Sequence, residues 1–158
     1  MKIDSIDLKI LRELQQDATL TNIQLAERVG LSPSPCLRRV RELEAAGILR
    51  AQVALVDPTS IGLRVNVFVR VTLEKQIREN LTVFEKAIAA RPEVVECYLM
   101  TGESDYLLRV VVPDLGAYED FLVDALTRIP GVSNIQSSFA LNQVKYSTAL
   151  PLGHISPE

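Results

Sequence analysis

The chain has 158 residues, 47% apolar and 23% charged, with 17 Lys and Arg against 20 Asp and Glu. That is enough for one domain of ordinary size or two small ones, and no apolar run approaches the roughly eighteen residues of a membrane span. One histidine, His154, and two well-separated cysteines, Cys36 and Cys97, argue against a histidine-based triad, a histidine-rich metal site and a disulfide framework.

The opening MKIDSIDLKI lacks a signal peptide's apolar core, so the expectation is a cytoplasmic protein with no membrane partner, no cofactor and no metal. Charge is unevenly spread. Residues 1–50 hold eight Lys and Arg against seven Asp and Glu, whereas the remainder holds nine against thirteen. A near-neutral head with clustered arginines beside an acidic body suggests two tasks in one chain.

The first helix is predicted to start at Asp4, whose carboxylate caps the opening turn, with Asp7 adding favourable charge. Ile6, Ile10 and Leu14 recur one turn apart and Leu11 widens the stripe. Thr21 and Gln24 have capping-box spacing and open a second helix carrying Ile23, Leu25, Ala26 and Val29, closed by Gly30. Ser32 is a suitable N-cap and Pro33 a suitable first residue for a third helix, with Pro35 still tolerable in its first turn. Leu37, Val40, Leu43 and Ala46 are expected on its inner side and Ser34, Arg38, Glu42 and Ala45 opposite, with Pro35, Arg39 and Arg41 flanking.

This succession has the form of a helix-turn-helix. The third helix would offer amide hydrogens and the Ser32 and Ser34 hydroxyls to phosphate. Arg38 would address a guanine edge, and Arg39 and Arg41 would address phosphates. Spacing alone leaves a second reading open, a three-helix bundle whose arginines make surface ion pairs, Arg38 with Glu42 among them.

Residues 48–56 look strand-like, and Asp57, Pro58 and Gly62 mark a boundary, so 48–62 is expected to be a strand and linker. The clearest alternation follows at 64–73, then a helix carrying Ile77, Leu81, Phe84 and Ile88. Residues 94–100 and 106–112 are expected to pair as a hairpin across the turn Thr101 to Asp105. Asp114 caps a further helix carrying Tyr118, Leu122, Ala125 and Ile129, and 135–144 supplies the last strand. The order β-α-β-β-α-β is the ferredoxin-like split arrangement, giving an α+β protein overall. With both helices on one sheet face, the other would expose Phe68, Tyr98, Met100, Leu107 and Val111, enough apolar surface to predict pairing of sheets in a dimer.

The motifs together resemble the Lrp/AsnC (leucine-responsive regulator/asparagine regulator) family of bacterial and archaeal transcription factors. The resemblance runs from Ile6 to Leu152. It rests on Asp7 with Ile10-Leu11, the run from Val29 through Leu-Ser-Pro-Ser-Pro-Cys-Leu-Arg-Arg-Val to Arg41, and Leu43-Glu44 with Gly47-Ile48. Leu55-Val-Asp-Pro58, Thr101-Gly-Glu-Ser-Asp-Tyr-Leu-Leu108 and the closing stretch from Val144 to Leu152 complete it.

It implies a winged helix-turn-helix domain over 1–50, a strand and linker over 51–62, a βαββαβ ligand-binding and oligomerisation domain over 63–150, and a tail over 151–158. It further implies a feast/famine regulator that binds double-stranded DNA, forms homodimers assembling to octamers, and takes a free amino acid between dimers. Ser32, Ser34, Pro35, Arg38, Arg39 and Arg41 fall in the recognition segment. Thr101, Gly102, Glu103 and Asp105 fall in the effector loop, and Gln136 and Ser138 on the last strand face the same interface.

The loop chemistry fits a free amino acid, since Glu103 or Asp105 can pair with its ammonium and amides around Gly102 can cradle its carboxylate. Taken alone, the same residues also suit a solvated turn. Leucine or methionine is the expected effector, from the apolar surroundings Leu99, Met100 and Leu107. Two alternatives are a nucleoid-architectural DNA-bending protein and an amino-acid-sensing subunit of a metabolic enzyme. The second lacks a catalytic set, because His154 is isolated and Cys36 has no histidine base nearby in sequence.

Overall fold

The computed structural model describes residues 2–156; Met1 and 157–158, the last two positions of the expected tail, lie outside the described residues. The chain divides into two units, one comprising the residues up to Ala54 and those from Val144 onward, the other Leu55–Gln143. The closing segment from Val144 onward thus groups with the residues up to Ala54.

Three helices build the first unit: α1 (Ser5–Gln16), α2 (Asn22–Val29) and α3 (Pro33–Ala45). Asp4 caps α1 by accepting the Ile6 and Asp7 N–H groups at 2.8 and 2.9 Å, and Asp7 returns the bond by accepting the Asp4 N–H at 3.1 Å. The Thr21–Gln24 capping box forms as the spacing predicts, and Gly30 ends α2 at φ +76°. Ser32 and Pro33 open α3.

Ile10, Leu11, Leu25, Ala26, Val29, Cys36 and Leu43 form the buried core of this unit. Each large aliphatic contributes about 1.5–3 kcal/mol on burial. The returning C-terminal segment is held on α1 by one side-chain amide. Gln15 accepts the Leu150 N–H at 2.6 Å and donates to the Leu150 carbonyl at 3.3 Å, while Leu152 packs on the core.

Three expectations for this region differ from the structure. Leu37 is 38% exposed and Ile23 60% exposed, so neither joins the core. Ala46 is exposed as well. No strand forms in 48–62 among the described residues; this stretch carries only a short 3-10 turn at Thr59–Ile61. A strand without a neighbour has no ladder for its backbone, and Val53, Leu55 and Val56 are left exposed there.

The second unit follows the predicted order, with β1 (Val65–Leu73), α4 (Arg78–Ala89), β2 (Val94–Leu99), β3 (Tyr106–Val112), α5 (Leu115–Asp120) and β4 (Val132–Phe139). The sheet order is β2-β3-β1-β4, and every neighbouring pair is antiparallel. Alternate residues Val67, Val69, Val71 and Leu73 of β1 and Tyr106, Leu108, Val110 and Val112 of β3 pack against Phe84 and Ile88 of α4. Phe84 and Tyr106 rings sit 4.4 Å apart. Burial, helped by a 2.8 Å hydrogen bond to Glu85, pushes the Tyr106 hydroxyl pKa well above its usual value.

Three further differences concern periodicity and edges. Past α5 the chain makes a π turn over Phe121–Ala125 and a 3-10 turn over Leu126–Arg128. Leu122 and Ala125 pack partly buried on the core as expected, and Phe121 and Leu126 are buried beside them, widening the inward stripe. β4 ends at Phe139 instead of continuing to 144. On the open face Phe68, Tyr98 and Met100 are exposed as predicted and Leu107 half-buried, whereas Val111 is only 7% exposed.

Candidate functional site

One outward surface of the head is a stripe of α3. Ser34, Leu37, Arg38, Arg41, Glu42 and Ala45 recur at helical spacing and line one shallow groove. Arg38 is well exposed and stands 3.8 Å from Glu42, a loose surface pair that leaves the guanidinium accessible.

At the start of α3, Pro33 and Pro35 have no N–H, and the Cys36 N–H is spent on the Ser32 carbonyl at 3.3 Å. The amide donors expected there for phosphate thus reduce to Ser34, supplemented by the Ser34 hydroxyl and that of Ser32, which makes no capping bond. Asn22 fixes the turn by donating from its side chain to the Pro33 carbonyl at 2.8 Å.

Arg39 stands elsewhere than expected. Its Nη1 donates to Asp4 at 2.7 Å and to buried Asp7 at 2.8 Å, so the guanidinium is engaged inside the head. These two carboxylates raise the Arg39 pKa. Asp4 is lowered, chiefly by the Asp7 N–H, with Arg39 reinforcing the shift. Cys36 is fully buried, and burial pushes its thiol pKa up, away from the thiolate a nucleophile requires.

In the second unit the hairpin turn between β2 and β3 meets the outer face of β1 and β4. Arg70, Thr72, Met100, Thr101, Glu103, Ser104, Asn134 and Gln136 enclose a concavity of 330 Å³. The sheet register explains the grouping: Arg70 lies opposite Gln136 and Thr72 opposite Asn134, all on the face away from α4 and α5. Of the expected effector residues, Thr101, Glu103 and Gln136 meet here. Gly102 sits in the same turn at φ +113°, a conformation that favours glycine. Ser138 lies further along β4, opposite Phe68, and does not line the concavity.

Asp105 also differs from expectation. It is 4% exposed, and its Oδ2 accepts the Leu73 N–H at 2.7 Å where the β1–β4 register slips. Its own N–H donates to the Val71 carbonyl at 2.9 Å, and its carbonyl accepts the Met100 N–H at 2.8 Å. Asp105 therefore anchors the base of the turn and is not among the residues that line the concavity. Arg70 is the main residue that sequence reasoning missed; its place on the outward half of the β1 alternation, beside Gln136 once β4 is paired, is the signal that marks it.

Comparison with known proteins agrees with both halves. The Winged helix-turn-helix DNA-binding family matches residues 3–50, and the Lrp/AsnC ligand binding domain matches residues 66–150. The Bkd operon transcriptional regulator of Pseudomonas aeruginosa is 48% identical over 151 residues, covering 96% of this chain and 99% of that protein. The leucine-responsive regulatory protein of Escherichia coli is 40% identical over 148 residues, 94% of this chain and 90% of that protein.

Among solved structures, a transcriptional regulator of Neisseria meningitidis in complex with L-methionine superposes with TM-score 0.93 at 43% identity, covering 98% of this chain and 100% of that one. An AsnC family regulator from Agrobacterium tumefaciens gives TM-score 0.89 at 46% identity, covering 94% and 97%. These relatives are regulators and not enzymes, which sets aside the metabolic-subunit alternative. The chain belongs to the Lrp/AsnC family of transcriptional regulators, with a helix-turn-helix head that binds DNA and a ferredoxin-like body that binds a small ligand.

Proposed function

We propose that the body senses a free apolar amino acid, leucine or methionine, and that its binding resets how the head engages operator DNA. One observation carries this: the concavity beside the β2–β3 turn joins one guanidinium, one carboxylate and one methionine side chain. Arg70 suits the effector carboxylate, which a planar guanidinium pairs in fork geometry, and Glu103 suits the ammonium. Thr101 and Gln136 supply polar contacts, Gly102 keeps the turn's backbone open to the ligand, and Met100 offers an adaptable apolar wall. The L-methionine complex of the Neisseria relative supports this choice of ligand class.

At the head, Arg38 addresses a guanine edge, Arg41 and the Ser32 and Ser34 hydroxyls address phosphates, and Pro35 shapes the helix start. Arg39 supports α3 from within. The open sheet face with Phe68, Tyr98 and Leu107 packs against a second copy, and dimers assemble further to an octamer, with Ser138 near the shared face. Paired heads then read half-sites about 10–10.5 base pairs apart. This feast/famine response takes place in the cytoplasm. The effector acts only through unequal affinity for alternative assemblies or head arrangements.

Calorimetric titration of the full chain with each of the twenty amino acids tests the reading. Leucine or methionine should bind, Arg70→Ala and Glu103→Gln should each weaken binding at least about tenfold, and sedimentation should change on saturation. Absence of binding by all twenty, or unchanged affinity in both variants, overturns it.

A further inference from the structure

Leu37 stands at one edge of the charged stripe of α3 and lines its groove. It is 38% exposed, with Ser34 one turn before it, Arg38 beside it and Arg41 one turn after. The head's apolar core is assembled from Cys36, Val40 and Leu43 of the same helix without it. Single exposed leucines are ordinary on a protein surface. This one is set apart by lining the same groove as the two outward guanidinium groups of Arg38 and Arg41, on the surface that meets DNA.

In the major groove each base pair presents donors and acceptors, and the apolar group among them is the thymine 5-methyl. A branched aliphatic side chain has no hydrogen bond to offer a base edge, but it can cover that methyl and exclude water from it. Replacing thymine by cytosine would put an amino donor nearby and remove the methyl, leaving Leu37 against a polar edge. We propose that Leu37 is a specificity-determining residue that reads a thymine 5-methyl in each half-site, next to the base pair addressed by Arg38. The proposal rests on the reading that α3 enters the major groove.

The test begins by selecting preferred duplexes from a random pool with the full-length protein, then replacing each thymine of the selected site by deoxyuridine, which deletes only the methyl. One thymine per half-site should weaken binding about four-fold, the factor expected for one buried methyl-sized group. Leu37→Ala should lose that penalty, retain preferences elsewhere in the site, and melt as the parent does. A parent indifferent to every deoxyuridine, or a variant that keeps the full penalty, overturns the proposal. An altered sedimentation mass in Leu37→Ala would also overturn it, by assigning the side chain to a contact between copies. Arg38→Ala separates the two claims. If it relaxes guanine preference while deoxyuridine has no effect, α3 still reads DNA and only the Leu37 role fails; if neither variant alters the selected sequence, the groove reading fails with it.

Discussion

Arg39 Nη1 lies 2.8 Å from Asp7 Oδ1, joining the helix that carries the outward arginines to the first turn of α1. The same nitrogen reaches Asp4 at 2.7 Å. Of two adjacent arginines, Arg38 is therefore presented to solvent while Arg39 fixes the helix that presents it.

Arg39→Ala should destabilise the protein by about 2–3 kcal/mol, because it strands the buried Asp7 carboxylate. Arg39 itself is 25% exposed, so solvent screening keeps the loss below that of a fully buried pair. Urea unfolding followed by circular dichroism measures this. The salt dependence of DNA binding by the folded fraction should stay unchanged; a slope reduced by about one would return Arg39 to phosphate contact.

Acid should weaken the same junction. The Asp4 pKa is lowered on folding, first by the Asp7 N–H and then by Arg39. Its stabilising contribution is thus present above the ordinary carboxylate pKa and is lost as pH falls through the lower folded value. The stability gap between parent and Asp4→Asn should be open at pH 6 to 7 and close below about pH 4. A gap that widens in acid would contradict the assigned sign.

Asp105→Ala should cost about 1–3 kcal/mol by leaving the Leu73 N–H without its buried acceptor. Amino-acid affinity should fall as the turn carrying Thr101 and Glu103 loses its anchor. Asp105→Asn keeps a carbonyl oxygen to accept that N–H and should recover most of both losses. Equal damage from the two variants would instead point to a direct ionic contact between Asp105 and the effector ammonium.

Gln15→Ala should release the C-terminal segment from α1. Hydrogen exchange at the Leu150 amide, bonded to Gln15 at 2.6 Å, should accelerate while amides in β1 and β3 keep their protection. Unchanged Leu150 protection would mean that other contacts hold the segment.

Much of this was legible in local sequence because local rules dictate it. The capping boxes at Asp4 and Thr21, the Ser32-Pro33 helix start and the strict alternation through Val67, Val69 and Val71 all become structure. The misses arise where distant partners decide. Arg39 looked like an outward arginine until α1 packed beneath it, and Asp105 like a free carboxylate until the register slip exposed the Leu73 N–H to it. Arg70 and Gln136 meet only through strand pairing across 66 positions in sequence. The π turn after α5 interrupts the 3.6-residue period that the sequence predicts there, while Phe121 and Leu126 join Leu122 and Ala125 on the core. Leu37 misled because its residue type favours burial while its helical position lies at the border between the inner and outer faces, where it is left 38% exposed.

DNA contact by the outward stripe of α3 is best checked by a salt titration of DNA binding by the parent and Arg41→Ala, on the selected duplex and on an unrelated one. Arg41→Ala should bind both duplexes more weakly by a similar factor, with a slope of log K against log salt reduced by about one. Unchanged affinity and slope on both duplexes would contradict it, because the outward stripe of α3 would then not be the surface that meets DNA.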